Sequence, residues 1–256
     1  MTMVSAVGDD RRGREAISIL SDYGINVRLM QTVPDAATGT VGVVLDESGK
    51  PTFVIHEGSA WDQLAWNDEI ALRASSADAV CFGTLGQRSE VSKQTIRRAI
   101  NAATAAGVPC VVDINLRPPF FDVEMIRDSV QLASILKLSD DELAEVCSAC
   151  GIAATDNDEA MLRDLLEFGD LDMVVMTRGK HGAVLVTGDD TIDQEVIPAI
   201  VIDTVGAGDS FTAAFLIGEL QGKPHRDNLR TACEIAATAC SHSGAVPAAS
   251  ELGQRK

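Results

Sequence analysis

A chain of 256 residues, 46% hydrophobic and 23% charged, has enough apolar material for one substantial core and too much for wholesale disorder. Its 21 Lys and Arg against 38 Asp and Glu leave a formal net charge of -17, which argues against non-specific binding to nucleic acid or anionic membranes, since both repel such a surface. Any phosphate ligand therefore has to meet positive charge gathered locally.

No apolar run approaches membrane-spanning length, and the N-terminal "MTMVSAVGDDRRG" lacks the long apolar stretch of a signal peptide, so a cytoplasmic location is expected. Six scattered cysteines suit reduced thiols rather than a disulfide framework. Cys147 and Cys150 form a C-x-x-C, but on a segment of helical periodicity with no second pair or histidine nearby, so they read as half-buried thiols on one helix face.

In chain order, Thr38–Gly58 reads as two strands joined by the turn residues Glu47–Lys50, a projecting flap or lid. A strand follows at Asp78–Gly83 and a helix at Ser89–Gly107, then a strand at Val108–Asn115 and a helix at Val123–Ala133. The strand Ser134–Ser139 leads into the helix Asp140–Gly151, and a further strand, Leu171–Thr177, ends at "RGKHG". Residues Ala183–Asp203 read as strand, turn, strand, forming an antiparallel edge. From Ala207 to about Ser241 the chain is helical apart from a break near Lys223, and the tail Ser250–Lys256 is expected to fray. Strands alternating with helices of this length predict an α/β class with a mostly parallel sheet covered on both faces.

Ligands of such sheets bind beyond the carboxyl ends of the strands. The first informative junction is "IDTVGAGDSF", Ile202–Phe211, where Gly206 and Gly208 permit a tight turn before a helix whose free N–H groups attract anions. The pattern is neither a Walker loop nor the dinucleotide fingerprint, because the required lysine and third glycine are missing. A carboxylate at Asp209 would repel a resting phosphate, yet it suits a base that takes a proton as a phosphoryl group arrives. On spacing alone Asp209 reads equally well as a plain helix cap.

At "DINLRPP", Asp113, Asn115 and Arg117 alternate and would face one side of an extended segment, with Pro118 and Pro119 delaying any helix. A guanidinium there could hold phosphate oxygens, or the stretch could be a polar loop with a surface arginine. Ser139 and Glu142 form the S-x-x-E of a capping box. Arg178 and Lys180 supply positive charge in an otherwise acidic chain.

The sequence "DTVGAGDSF" resembles the D-T-x-G-A-G-D signature of the ribokinase-like (PfkB) family of carbohydrate kinases, and the likeness runs from "VGDDRRG" to "SGAVP". The resemblance implies a three-layer α/β/α fold over residues 1–256 as a single domain, with a small β lid at about 38–60. It implies ATP and Mg2+ as cofactors and transfer of the γ-phosphoryl group to a sugar hydroxyl. Asp209 would be the catalytic base in contact with substrate, and the amides of Gly206, Ala207, Gly208 and Asp209 the anion hole. Asp203 and the Val205 carbonyl would border a monovalent cation site suited to K+. "DINLRP" is similar to the D-x-N-x-R-P of fructokinases and 2-keto-3-deoxygluconate kinases, where Asn115 and Arg117 would serve nucleotide phosphates and sugar. Glu142 corresponds to the glutamate of the family's N-x-x-E, tied to Mg2+ through water, with Ser139 in place of the asparagine. Thr177, Gly179 and Gly182 match a T-x-G-x-x-G turn at the nucleotide, and residues 236–247 the border of the adenine. Thr40, Phe53 and His56 would line the lid, which often mediates homodimers in the family.

The same resemblance implies a first strand with a substrate-binding aspartate and a G-G-x-x-x-N segment before "VGDD", and this sequence contains no Gly-Gly pair. The expectation is therefore a fructokinase-like kinase with an apparently missing N-terminal segment. 2-Keto-3-deoxygluconate or a nucleoside is the alternative acceptor, and a non-catalytic nucleotide-binding remnant the rival from another class.

Overall fold

Alternating β-branched runs and amphipathic segments can bury their apolar faces only by layering helices against strands. The computed structural model describes residues 1–45 and 51–246 and resolves this layering in two units, Met1–Val108 with Pro118–Phe121, and Pro109–Arg117 with Asp122 onward. The turn Glu47–Lys50 and the tail Ser250–Lys256 lie outside the described residues, as does the side chain of Phe53.

The first unit opens with β1 (Thr2–Gly8), α1 (Arg11–Asp22) and β2 (Asn26–Val33), a βαβ crossover with β1 and β2 parallel. Asp10 starts α1. Its carboxylate accepts from the Gly13 amide at 2.8 Å and from both the amide and the hydroxyl of Thr38 at 2.8 Å, so one side chain caps the helix and pins the chain at Thr38. The Thr38 and Gly13 amides hold its pKa down at about 2. Strands β3 (Val41–Leu45) and β4 (Pro51–Ile55) then pair antiparallel, Val41 opposite Ile55, as the lid reading expects.

After α2 (Asp68–Ser75), β5 (Val80–Gly83) and α3 (Glu90–Ala105), the fixed point of this unit is Arg88. Its guanidinium binds Asp62 through Nε and Nη2, both at 2.8 Å, and lies over the rings of Trp61 and Phe120 at 4.0 and 4.6 Å. Pairing and stacking together satisfy a charge that burial would otherwise penalise.

The second unit carries β6 (Cys110–Asp113), α4 (Val123–Leu132), β7 (Ile135–Ser139), α5 (Asp140–Ala149), α6 (Asp158–Gly169), β8 (Met173–Thr177), β9 (Ala183–Thr187), β10 (Thr191–Gln194), α7 (Ala207–Leu220) and α8 (His225–Ala239). The strand order is β10-β9-β8-β7-β6, with β6, β7 and β8 parallel and β9 and β10 antiparallel to their neighbours. Val111, Ile135, Val175 and Leu185 on one face pack with Phe211, Phe215 and Leu229 of α7 and α8. The intervening Val112, Leu136, Val174 and Val186 are equally buried, because a sheet covered by helices on both faces excludes water from each. Cys147 and Cys150 are buried rather than half-buried, and burial pushes their thiols up to about 11 and about 12.

The antiparallel edge expected over 183–203 is present as β9 and β10, but its second strand is shorter than expected. The run 195–203 reads as apolar strand, yet β10 stops at Gln194, and Ile200, Val201 and Ile202 are 83%, 63% and 64% exposed. Pro198 has no amide hydrogen for a ladder, and the amides of Ile202 and Asp203 donate to the Cys240 carbonyl at 2.8 and 3.3 Å instead of to a strand. The helical break near Lys223 falls between α7 and α8, as expected.

These two helices meet at a side chain with no room to spare. Asn228 is fully buried and donates to the Phe215 carbonyl at 2.9 Å and to Glu219 at 2.6 Å, and a Cβ on Gly218 would stand 1.7 Å from its Oδ1. Gly218→Ala is expected to lose ~1–3 kcal/mol of stability through overpacking, read as a lower urea midpoint at unchanged m-value. A second prediction concerns pH. Folding lowers the Asp10 pKa from 3.8 to about 2, so its contribution is whole above the unfolded value and is lost as pH falls towards the folded one. The stability gap between wild type and Asp10→Asn in urea titrations is expected to be widest above about pH 5 and to narrow steadily below about pH 4.

Candidate active site

The signature residues sit where α7 begins. Gly206 occupies the N-cap position at φ 79, a left-handed conformation that favours glycine, and no side chain caps the helix. A Cβ there would press within 3.0 Å of Ala245 backbone atoms, which excludes the serine or aspartate that ordinarily caps a helix. The Ala207 amide donates to the Thr204 carbonyl at 3.2 Å. Among the described residues, the amides of Gly206, Gly208 and Asp209 have no acceptor, so they are the free donors of this turn. Asp209 lies in the first turn, exposed, and its carboxylate has no partner among the described residues. It is not the cap, and that reading of it is set aside.

Asp203 holds the loop that enters this turn. Its Oδ1 accepts from the Val205 amide at 3.0 Å and its Oδ2 from the Gly244 amide at 2.8 Å, and these bonds pull its pKa below the ordinary carboxylate value. The signature loop is thereby fastened to the loop after α8. Among the described residues no group of three or more His, Cys, Asp and Glu side chains is placed to hold a metal.

The "DINLRP" stretch departs from expectation. Asn115 adopts φ 43, so the extended alternation breaks. Asp113 is buried while Asn115 and Arg117 are exposed, and the three do not share a face. Arg117 donates to the neighbouring Leu116 carbonyl at 3.1 Å. Asp113 instead pairs with Lys137, which stands opposite it on β7, with Nζ at 3.0 Å from Oδ1. The Thr212 hydroxyl of α7 lies 2.9 Å from Asp113 Oδ2 and 3.0 Å from the Gly208 carbonyl. Burial pushes the Asp113 carboxyl up, and Lys137 and Thr212 pull it back. Neither Lys137 nor Thr212 was singled out from sequence. The available signal was a lone lysine inside the apolar strand "ILKLS".

Glu142 forms the expected capping box with Ser139, whose amide and hydroxyl reach Oε2 at 2.8 and 2.9 Å. Its Oε1 also accepts from the Leu116 amide at 2.6 Å, which ties the 113–117 loop to the start of α5.

Beside the free amides lies a cavity of about 510 Å3. Its walls are the turn from Thr177 to Gly182, the exposed run around Val196–Val201, Ala207, Gly208 and Phe211 of α7, and Cys233, Ala236, Ala237 and Cys240 of α8. Gly182, at φ 85, lies against the chain leaving β10, where a Cβ would be 2.0 Å from the Gln194 carbonyl oxygen. Lys180 lines the cavity, whereas Arg178 makes a two-pronged pair with Asp193 at 2.6 and 3.0 Å and so is not the free positive charge its sequence position suggests. Apolar walls next to unsatisfied amides suit a ligand with a flat apolar body and an anionic end.

Known proteins resemble this chain in sequence and in fold. The chain is 26% identical over 250 residues to a ribokinase of Arabidopsis thaliana, covering 95% of this chain and 63% of that protein. It is 27% identical over 258 residues to fructokinase-2 of Zea mays, covering 96% and 75%. It thus spans between about three fifths and three quarters of these relatives' length. A candidate ribokinase II from E. coli, solved in complex with ATP and Mg2+, matches with a TM-score of 0.83 over 95% of this chain and 78% of that one, at 22% identity, which establishes the shared ribokinase-like fold. The pfkB carbohydrate kinase profile matches residues 1–251, and the chain belongs to that family.

Proposed function

We propose that this chain transfers the γ-phosphoryl group of ATP, taken as its Mg2+ complex, to a hydroxyl of a sugar, with a fructokinase-like acceptor as the first candidate. One observation carries the reading: three uncommitted amides and an unpartnered carboxylate share the first turn of α7, at the mouth of an apolar cavity. The relatives support it, since both the ribokinase and the fructokinase act in name on sugars. The preference for fructose rests on the 113–118 stretch and gives way to ribose, 2-keto-3-deoxygluconate or a nucleoside on the outcome of an acceptor panel.

The base and ribose occupy the cavity, with the turn containing Thr177, Gly179 and Gly182 along one side and residues 233–240 along the other. The phosphates point to the start of α7. Asp209 accepts the proton of the attacking hydroxyl as the new P–O bond forms and the bond to the departing ADP breaks. The amides of Gly206, Gly208 and Asp209 take up the charge on the transferring group, with Ala207 completing the turn. Mg2+ bound with ATP would offset the charge of the β- and γ-phosphates. Glu142, whose two oxygens already accept backbone amides, suits holding it through water rather than directly. Asn115 and Arg117, exposed on their loop, would meet phosphate or sugar in this reading, and Asp203 with the Val205 carbonyl is the proposed K+ position. Residues 1–256 act as a single kinase domain in this reading, with β3 and β4 as its lid and Thr40 and His56 as lining residues of that lid.

The test is ADP release from Mg-ATP with fructose, ribose, 2-keto-3-deoxygluconate and adenosine. Turnover with one acceptor is expected, and Asp209→Asn is expected to cut kcat by ~10²–10⁴-fold, the range for a positioned base, at nearly unchanged KM for ATP. ATP binding without turnover on any acceptor would favour a nucleotide-binding remnant. Filling the cavity tests the nucleotide half separately. Ala237→Trp is expected to raise KM for ATP by roughly 10-fold or more with kcat within ~3-fold, measured on the same acceptor.

A further inference from the structure

The lysine inside β7 interrupts an otherwise apolar run, Ile135–Leu138. Lys137 is 7% exposed on a strand flanked on both sides, among Ile135, Leu136 and Leu138, which are all buried. A buried ion pair can often be replaced by apolar side chains without loss of stability, so packing does not account for it. Two further facts point towards α7. Among the described residues, Asp113 is the only hydrogen-bond partner of the Lys137 ammonium, which leaves two of its three N–H bonds uncommitted. The ammonium also lies beneath the turn of free amides, 3.5 Å from where a Cβ on Gly208 would stand. Asp113 is in turn joined to that turn through Thr212, whose hydroxyl lies within reach of both the carboxylate and the Gly208 carbonyl.

We propose that Lys137 is a positioning residue for phosphoryl transfer: its ammonium, fixed by Asp113, which Thr212 ties in turn to the Gly208 carbonyl, adds positive potential behind the Gly206–Asp209 amides and holds that turn in register. The inference rests on the kinase reading above. The charge acts where it is needed, because a buried cation is screened far less than a surface lysine. The net charge of -17 makes such a local source the more effective. The ligand class is the trigonal, anionic phosphoryl group in flight, rather than the resting nucleotide, so the effect belongs to kcat and not to ATP affinity.

Lys137→Met alone strands a buried carboxylate and could unfold the unit, so the informative variant is the uncharged pair Lys137→Met with Asp113→Leu, checked for native circular dichroism and melting. Lys137→Arg keeps the charge and serves as the conservative variant. Two readouts are taken on the full chain: calorimetric affinity for orthovanadate in the presence of Mg-ADP, and kcat and KM with the best acceptor. The folded double variant is expected to bind Mg-ADP within ~3-fold of wild type, to lose vanadate affinity by roughly 10-fold or more, and to lose kcat by about 10²-fold, as when one oxyanion donor is removed. Lys137→Arg is expected to recover part of both losses. Unchanged vanadate affinity in the folded double variant overturns the proposal, as does wild-type chain that binds Mg-ADP but no vanadate. The kinase reading fails by a different result, wild-type chain that binds vanadate with Mg-ADP yet phosphorylates no acceptor.

Discussion

A helix begun on a left-handed glycine, with no side chain to cap it, presents amide hydrogens that only solvent or a ligand can satisfy. In this chain that constraint is imposed at Gly206, where contact with Ala245 removes the space for any capping side chain. The rest of the second unit's site follows from holding such an end in place. Asp203 clips the incoming loop to Gly244, the Cys240 carbonyl takes the amides of Ile202 and Asp203, and Thr212 anchors the first turn from within. The end stays uncapped because three independent contacts fix the chain around it.

Electrostatics in so acidic a chain is a matter of placement. Arg178 is committed to Asp193, so it is not available to a ligand at the α7 turn. What remains near that turn is the positive end of the helix dipole, Lys180 on the cavity wall, and the buried ammonium of Lys137. Asp209 is the counterweight, a carboxylate in the first turn of the same helix. An arrangement with both signs on one turn suits a site that passes charge through rather than one that stores an anion.

The two halves of the sequence differed in legibility for a physical reason. Strands of the second unit are short, apolar and β-branched because both faces are buried, and a continuous apolar run stands out from its neighbours. β1, α1 and β2 were less visible, since α1 is mostly exposed, the strands are largely half-buried, and the pattern is diluted by polar positions such as Arg28 and Gln31. The run 195–203 misled because apolar composition is a signal of burial only when something covers it. Here Pro198 interrupts the ladder and the loop turns its apolar side chains to the cavity rim and to solvent.

By itself the sequence determined the α/β class, the β3–β4 hairpin, the capping box at Ser139 and Glu142, and the glycine-rich turn at Gly206–Asp209, because each rests on local chemistry within a few residues. The family followed from the same local signature. Only the tertiary structure decided that Asp113 turns inward to Lys137 instead of outward with Asn115 and Arg117, that Arg178 is spent on Asp193, and that Glu142 reaches across to Leu116. Those outcomes depend on partners 15 to 26 residues away, brought together by strand register and loop direction, and no local pattern specifies which partner a charged side chain will find.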